Sequence, residues 1–185
     1  MDLDPLDYSM NEVKISEVSE HEEYLDLGSL RIPFIDDMKL ELDLDQETNQ
    51  VVSVSISIAD SIASIQAFSA PSDEDAWPSV RDAILSQLTE QHVETKVELG
   101  RFGTEIHSFM PTLDQHGVEH VQDIRFVGID GPRWFLRCTI GGMAAKPSKD
   151  SELIDNLIAT IKVIRGDSPM PPGELLPLEI PNETL

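Results

Sequence analysis

Histidines, acids and arginines at short spacings are the residues through which this chain could do chemistry. The segment LDQHGVEHVQD, residues 113–123, sets His116 and His120 four apart with Asp114, Glu119 and Asp123 beside them. Histidines at that spacing chelate a metal when a helix holds both on one face. Gly117 between them and the lack of a flanking apolar period argue against a helix, so residues 112–123 are expected to form a polar loop and no metal is expected. DLDQETN, residues 43–49, begins like a calcium loop, with oxygen donors at alternate places. Thr48 stands where that loop needs its glycine, and Val54 where it needs its bidentate acid. Cys138 shares a strand face with Trp134, Leu136 and Ile140, the setting of a buried inert thiol rather than a nucleophile. His107 alternates with Ile106 and has no partner that the sequence identifies, so no catalytic dyad is expected. No P-loop, nucleophile elbow or dinucleotide glycine triplet is present, and no cofactor is predicted.

The stretch GIDGPRWFLRC, residues 128–138, is the basic exception in an acidic chain. Strand alternation puts Arg133, Phe135, Arg137 and Thr139 opposite the Trp134 face. Arg133 and Arg137 would stand roughly 13 Å apart, too far to clamp one carboxylate together. Arg125 on the preceding strand adds a third positive charge. The bland reading is a solvated face whose arginines pair with some of the many acids. The sharper one is a cationic patch with an exposed Phe135, in which Arg125, Arg133, Phe135, Arg137 and His107 hold an anionic ligand or a partner's acidic segment.

Charge limits the partners. The formal net charge is −22, and residues 1–50 hold 15 acids against 3 bases. A field of that sign repels phosphates, so nucleic acid and anionic membrane surfaces are not expected partners. No apolar run approaches the roughly 20 residues of a membrane span. The acidic start MDLDPLDYSM is unlike an export leader, and a single cysteine fits a reducing compartment; the expected location is the cytoplasm.

The elements that must position these residues follow from periodicity. Residues 1–24 show no clean period and predict an acidic disordered tail. SLRIPF and MKLELDL predict short strands. VVSVSISI then sends Val52, Val54, Ile56 and Ile58 inward and Ser53, Ser55 and Ser57 outward, and IASIQAF returns to form a hairpin. That uncharged serine face suits a neighbouring element or subunit. APSDEDAWPSVRDAILSQLTEQ predicts a helix capped by Asp or Ser at 72–75, with Pro78 in its first turn and Trp77, Val80, Ile84 and Leu88 as its core stripe. TEIHSFMP is a strand, and IRFVGI with RWFLRCTI a second hairpin that turns at Asp130-Gly131. SELIDNLIATI is an amphipathic helix, KVIRG a closing strand, and residues 167–185 a proline-rich strap. Strands, helix, strands, helix with hairpin spacing predict an α+β domain over 25–166: a mostly antiparallel sheet covered by two helices as a two-layer scaffold.

The blocks DLGSLRIPF (26–34), QAFSAP (66–71), RFVGIDGPRWFLR (125–137) and VIRGDSPMPPGELLPLEIP (163–181) resemble the bacterial domain of unknown function 3710 family. The likeness runs from about Leu25 to Pro181 and implies an organisation but no activity, cofactor or active-site residue. By analogy, the element order is similar to the fold shared by Mog1 and PsbP, a group of mostly binding or accessory modules; fold alone does not fix function. The leading expectation is a soluble, non-catalytic binding or accessory protein working through protein–protein contacts, with self-association a further option. The alternative is a small-molecule enzyme or ligand sensor with an anion-binding pocket near Arg125, Arg133, Arg137 and His107. A third, nucleic-acid mimicry by the acidic front, predicts a salt-sensitive complex with a basic protein.

Overall fold

The computed structural model describes residues 24–180. The expected acidic tail therefore lies outside the described residues except for Tyr24, which opens the first strand. The elements are β1 (Tyr24–Asp26), β2 (Leu30–Pro33), β3 (Lys39–Leu44), β4 (Val51–Ile58), β5 (Ser61–Ser69), α1 (Trp77–Glu90), β6 (Glu94–Gly100), β7 (Gly103–Leu113), β8 (Glu119–Gly131), β9 (Trp134–Gly142), α2 (Lys149–Thr160) and β10 (Lys162–Val163). A seven-stranded sheet runs β3-β4-β5-β9-β8-β7-β6, and β1-β2-β10 form a second sheet of three. Every pairing is antiparallel, and the fold is α+β.

Alternation sets the layers. Trp134, Leu136, Cys138 and Ile140 of β9 are buried with Val127, Ile129 and the α2 residues Ile154, Leu157 and Ile158. Phe135 and Ile106 point the other way, into a second cluster with Trp77 and Leu88 of α1. Both faces of the central strands are thus apolar, and each needs its own cover. Three layers result where two were expected: α1 on one side, α2 and the small sheet on the other. Trp77 lies so close to β8 that a Cβ built on Gly128 would sit 2.1 Å from its ring.

Three local expectations are corrected, and one strand is added. The α1 N-cap is Ala76, without a capping side chain of its own. The Asp130 carboxylate of β8 serves instead, accepting from Ala76 N at 2.7 Å and Trp77 N at 3.2 Å. Asp130 is consequently paired within the hairpin, opposite Phe135, and the turn falls at Pro132-Arg133. Pro132 presets the first central position, and Arg133 takes a left-handed φ of 61° at the second, as in a type II turn. Residues 112–123 are mostly strand: β7 and β8 pair out to Leu113 opposite Glu119. Asp114 closes the short loop between them by accepting from His116 N and Val118 N. Finally, ETKVELG, to which sequence periodicity assigned no element, forms β6, an edge strand.

In the strap Leu176 is buried, whereas Ile180 is exposed. Leu176 N donates to Ala67 O and Gly173 N to Ser69 O, so the strap continues the pairing along β5 where its ladder with β4 stops, and Glu179 N donates to Leu27 O. Among the described residues no helix is long and apolar enough to cross a membrane.

Candidate functional site

A cleft of about 540 Å³ opens between the β6–β8 end of the sheet and α2. Its floor is the sheet face that also carries the main core, because His107 stands directly opposite Arg125 and Glu105 directly opposite Glu98 in the strand register. Toward the small sheet this face is covered and apolar; at the β6 edge the same alternation delivers charged side chains instead. The turn residue Arg101 and the α2 residues Ser151 and Asp155 complete the lining.

Arg125 is the innermost charge, with a side chain only 6% exposed. Its Nη2 donates to Asp155 Oδ1, and its Nε lies 3.8 Å from Glu105 Oε2, beyond hydrogen-bond reach. That Nε–H is buried and finds no acceptor among the described residues. A buried donor left unmatched costs about 1–3 kcal/mol, offset here in part by the charge of Glu105 beside it. Glu105 is held by His107 Nε2 at 2.9 Å, and Glu98 Oε2 lies 3.6 Å from the same nitrogen. Lys96 pairs with Glu98, which holds the Glu98 carboxyl below its ordinary value. Gly100 makes room for Glu105: a Cβ there would fall 2.2 Å from Glu105 Oε2. Arg101 reaches across to Asn156 of α2 and bridges the two walls.

Of the residues singled out in the sequence, the structure brings His107 and Arg125 together and places the other three elsewhere. Arg133 sits in the β8–β9 turn and donates to Gly166 O at 3.3 Å. Arg137 lies on the α1 side of the sheet, donating to Gln66 Oε1 with its guanidinium 5.3 Å from the Phe68 ring centre. Phe135 is 3% exposed rather than presented to solvent, because it stacks against Phe68 and Trp77 beneath α1. Glu98, Glu105, Arg101 and Asp155 were not foreseen. Glu105 had a signal, since it falls two residues before His107 on the same strand face; Asp155 had none, as it arrives on α2.

The remaining chemical candidates serve their own loops. Asp45 accepts from Glu47 N and Thr48 N, which closes the 45–50 turn and lowers its carboxyl. His120 Nε2 lies 3.2 Å from Asp114. Among the described residues no three His, Cys, Asp or Glu side chains are arranged to hold a metal. Cys138 is fully buried, and desolvation pushes its thiol up to about 12.

Residues 5–185 match the model of a family described as protein of unknown function (DUF3710). The chain belongs to this family. A comparison with curated proteins found no match. Among solved structures, this member of the family is similar to a crystal structure from Bacteroides thetaiotaomicron VPI-5482, at 14% identity and a TM-score of 0.43 over 77% of this chain. The chain spans only 48% of that protein's length. It is also similar to the solution structure of cyanobacterial PsbP (CyanoP) from Synechocystis sp. PCC 6803, at 10% identity and a TM-score of 0.43, over 84% of this chain and 98% of that one.

Proposed function

We propose that this protein is a non-catalytic cytoplasmic binding module that seats a small polar ligand in the cleft between β6–β8 and α2. The observation that carries this reading is the cleft itself, of ligand size and lined by the charged side chains of Glu98, Arg101, Glu105, His107, Arg125 and Asp155. Binding is favoured over catalysis by what the lining lacks in free reactive groups. The Ser151 hydroxyl is spent on the α2 capping box, donating to Ser148 O at 2.8 Å. His107, paired through Nε2 with Glu105, finds no hydroxyl or thiol in the lining other than that of Ser151 to activate. The cleft also differs from the expected anion pocket, because Asp155 and Glu105 already neutralise Arg125.

A thermal-shift screen of polar metabolites tests the reading. A true ligand at a hundred times its Kd stabilises the fold by about 2.7 kcal/mol. That shift should disappear in His107→Ala, which alters the cleft floor without emptying the core. A screen without hits, or hits that His107→Ala leaves untouched, rejects the cleft as the binding site.

A second reading, contact with another protein, is favoured by the half of the sheet that α1 leaves without a helix. Ser55, Ser64 and Thr139 align there across three strands, beside the exposed Ile62. Glu41 and Asp43 border this strip at Ser55, and its uncharged centre at Ser64 and Thr139 suits a second copy of the chain. Light scattering that reports a dimer in the native protein and a monomer in Ile62→Lys supports it; a monomer throughout rejects it.

A further inference from the structure

Away from the cleft, the β7–β8 hairpin outgrows the sheet that carries it. β6 pairs with β7 only as far as Phe109. β9 pairs with β8 only as far as Ile124, beyond which Gly142 takes a φ of 75° and leads the chain away. Residues 110–113 and 119–123 therefore form a two-stranded arm with no strand of the sheet on either side. We infer that the outer edge of β8 at Glu119 and Val121 receives an extended segment of a partner protein, one that carries lysine or arginine beside an apolar residue. The inference is independent of the cleft, none of whose lining residues lies in the arm.

Pro111 and the tip of the arm decide which backbone groups are free. Hydrogen-bonded and non-hydrogen-bonded pairs alternate along an antiparallel ladder. Asp114 N donates to Val118 O at 3.0 Å, so that pair is of the first kind. Leu113 with Glu119 and Pro111 with Val121 are then of the second kind, as Pro111 requires, having no N–H to give. The N–H and C=O of Glu119 and Val121 thus point away from β7, at the level where β9 has ended. The opposite edge of the arm is blunted, because the outward position of β7 there is Pro111.

The side chains suit the same occupant. Pro111, Leu113 and Val121 share one face of the arm, with Leu113 and Val121 67% and 64% exposed. A two-stranded ribbon on its own is marginal in water, and an added strand would pair its open edge and shelter Val121. Charge then selects the partner. Residues 110–123 hold three acids and no lysine or arginine. Asp123 is met by Lys146 at 2.7 Å and Asp114 by His120 at 3.2 Å, whereas Glu119 has no ion partner among the described residues. A cation opposite Glu119 and an apolar side chain opposite Val121 are the cross-strand neighbours this edge favours. A second copy would instead bring the same three acids, again without lysine or arginine, against this arm.

The probe is a blocked peptide of alternating lysine and valine. Its controls are one alternating glutamate and valine, and one with the lysines and valines in two separate blocks. Each is titrated into the full chain while NMR follows the backbone amides and their hydrogen exchange. The alternating lysine peptide should give saturable shifts centred on residues 119–123 and slow exchange at Glu119 and Val121 by about tenfold. The block peptide should bind about tenfold more weakly, and the glutamate peptide should not bind. Val121→Pro removes an outward N–H without touching the β7–β8 bonds, and Val121→Lys keeps the N–H but repels the probe. Each should weaken binding by about tenfold. Shifts scattered over other acidic surfaces, equal binding of either control peptide, indifference to either variant, or no response to the alternating lysine peptide overturns the inference. Slowed exchange at Glu119 and Val121 on concentrating the protein alone overturns it in favour of a second copy.

Discussion

Asp130 stabilises an element to which it does not belong. Its carboxylate closes the start of α1, satisfying donors that no residue of the 72–75 segment reaches. Burial raises this carboxyl above its ordinary value, and the helix N–H groups offset only part of that effect. A carboxyl with a higher value in the folded state binds its proton more readily there. Its contribution to stability is fully present below the unfolded value, roughly 3.9, and is lost as pH rises through the folded one. Asp130→Asn keeps an oxygen acceptor and removes the charge. Urea unfolding across the range just above that unfolded value should show a flatter profile for the variant than for the wild type. Asp130→Ala, which removes the acceptor, should cost about 1 kcal/mol at neutral pH. Cys138 makes the opposite point, a reactive residue type rendered inert by its surroundings. With its thiol pushed up to about 12 and no exposed surface, it should resist iodoacetamide in the native protein and label fully in denaturant, as mass spectrometry would record.

At the scale of elements, the placement of α1 depends on one bare position. Gly128 lets the Trp77 ring rest on β8, with the ring nitrogen donating to Thr104 O. Gly128→Ala must move the helix or the strand, at a cost of about 1–3 kcal/mol. A lowered melting temperature with loss of the near-ultraviolet tryptophan signal would confirm this, and wild-type values for both would refute it. At the start of β4 an irregularity in its pairing with β3 buries Val51 and Ser53 in place of the expected Val52. β4 and β9 were otherwise legible from alternation, although Phe135 makes the second face of β9 buried too. β6 was not. Its Val97 and Leu99 alternate with Lys96 and Glu98 but remain exposed, Leu99 at 85%, so no hydrophobic face marks the strand. The β8–β9 turn was misplaced by two residues for a related reason. Asp130-Gly131 carries a turn signature, yet Asp130 is needed as a cap, and Pro132 with Arg133 turns the chain instead.

The whole molecule carries a charge of −22 that its fold does not neutralise locally. Raising ionic strength from about 0.01 M to 0.15 M shortens the screening length from about 30 Å to 8 Å. Self-repulsion among the acids should relax over that range and the melting temperature should rise. A flat profile would mean that near neighbours already balance the acids. The Arg125–Asp155 pair, with side chains 6% and 15% exposed, contributes little to any such change because salt reaches it poorly.

Local pattern was enough to determine much of this protein. Period-two alternation placed Trp134, Leu136, Cys138 and Ile140 on one buried face, and helical spacing located both helices. Those patterns record whether a side chain meets water, a property that neighbours along the chain impose jointly. The cleft has a different origin. Glu98, Glu105, His107, Arg125 and Asp155 come from three strands and a helix, and they meet because of strand register and because α2 packs on the same face of the sheet. Register and helix packing follow from contacts between distant segments, so only the tertiary structure decided that these charges share one space and that Phe135 does not.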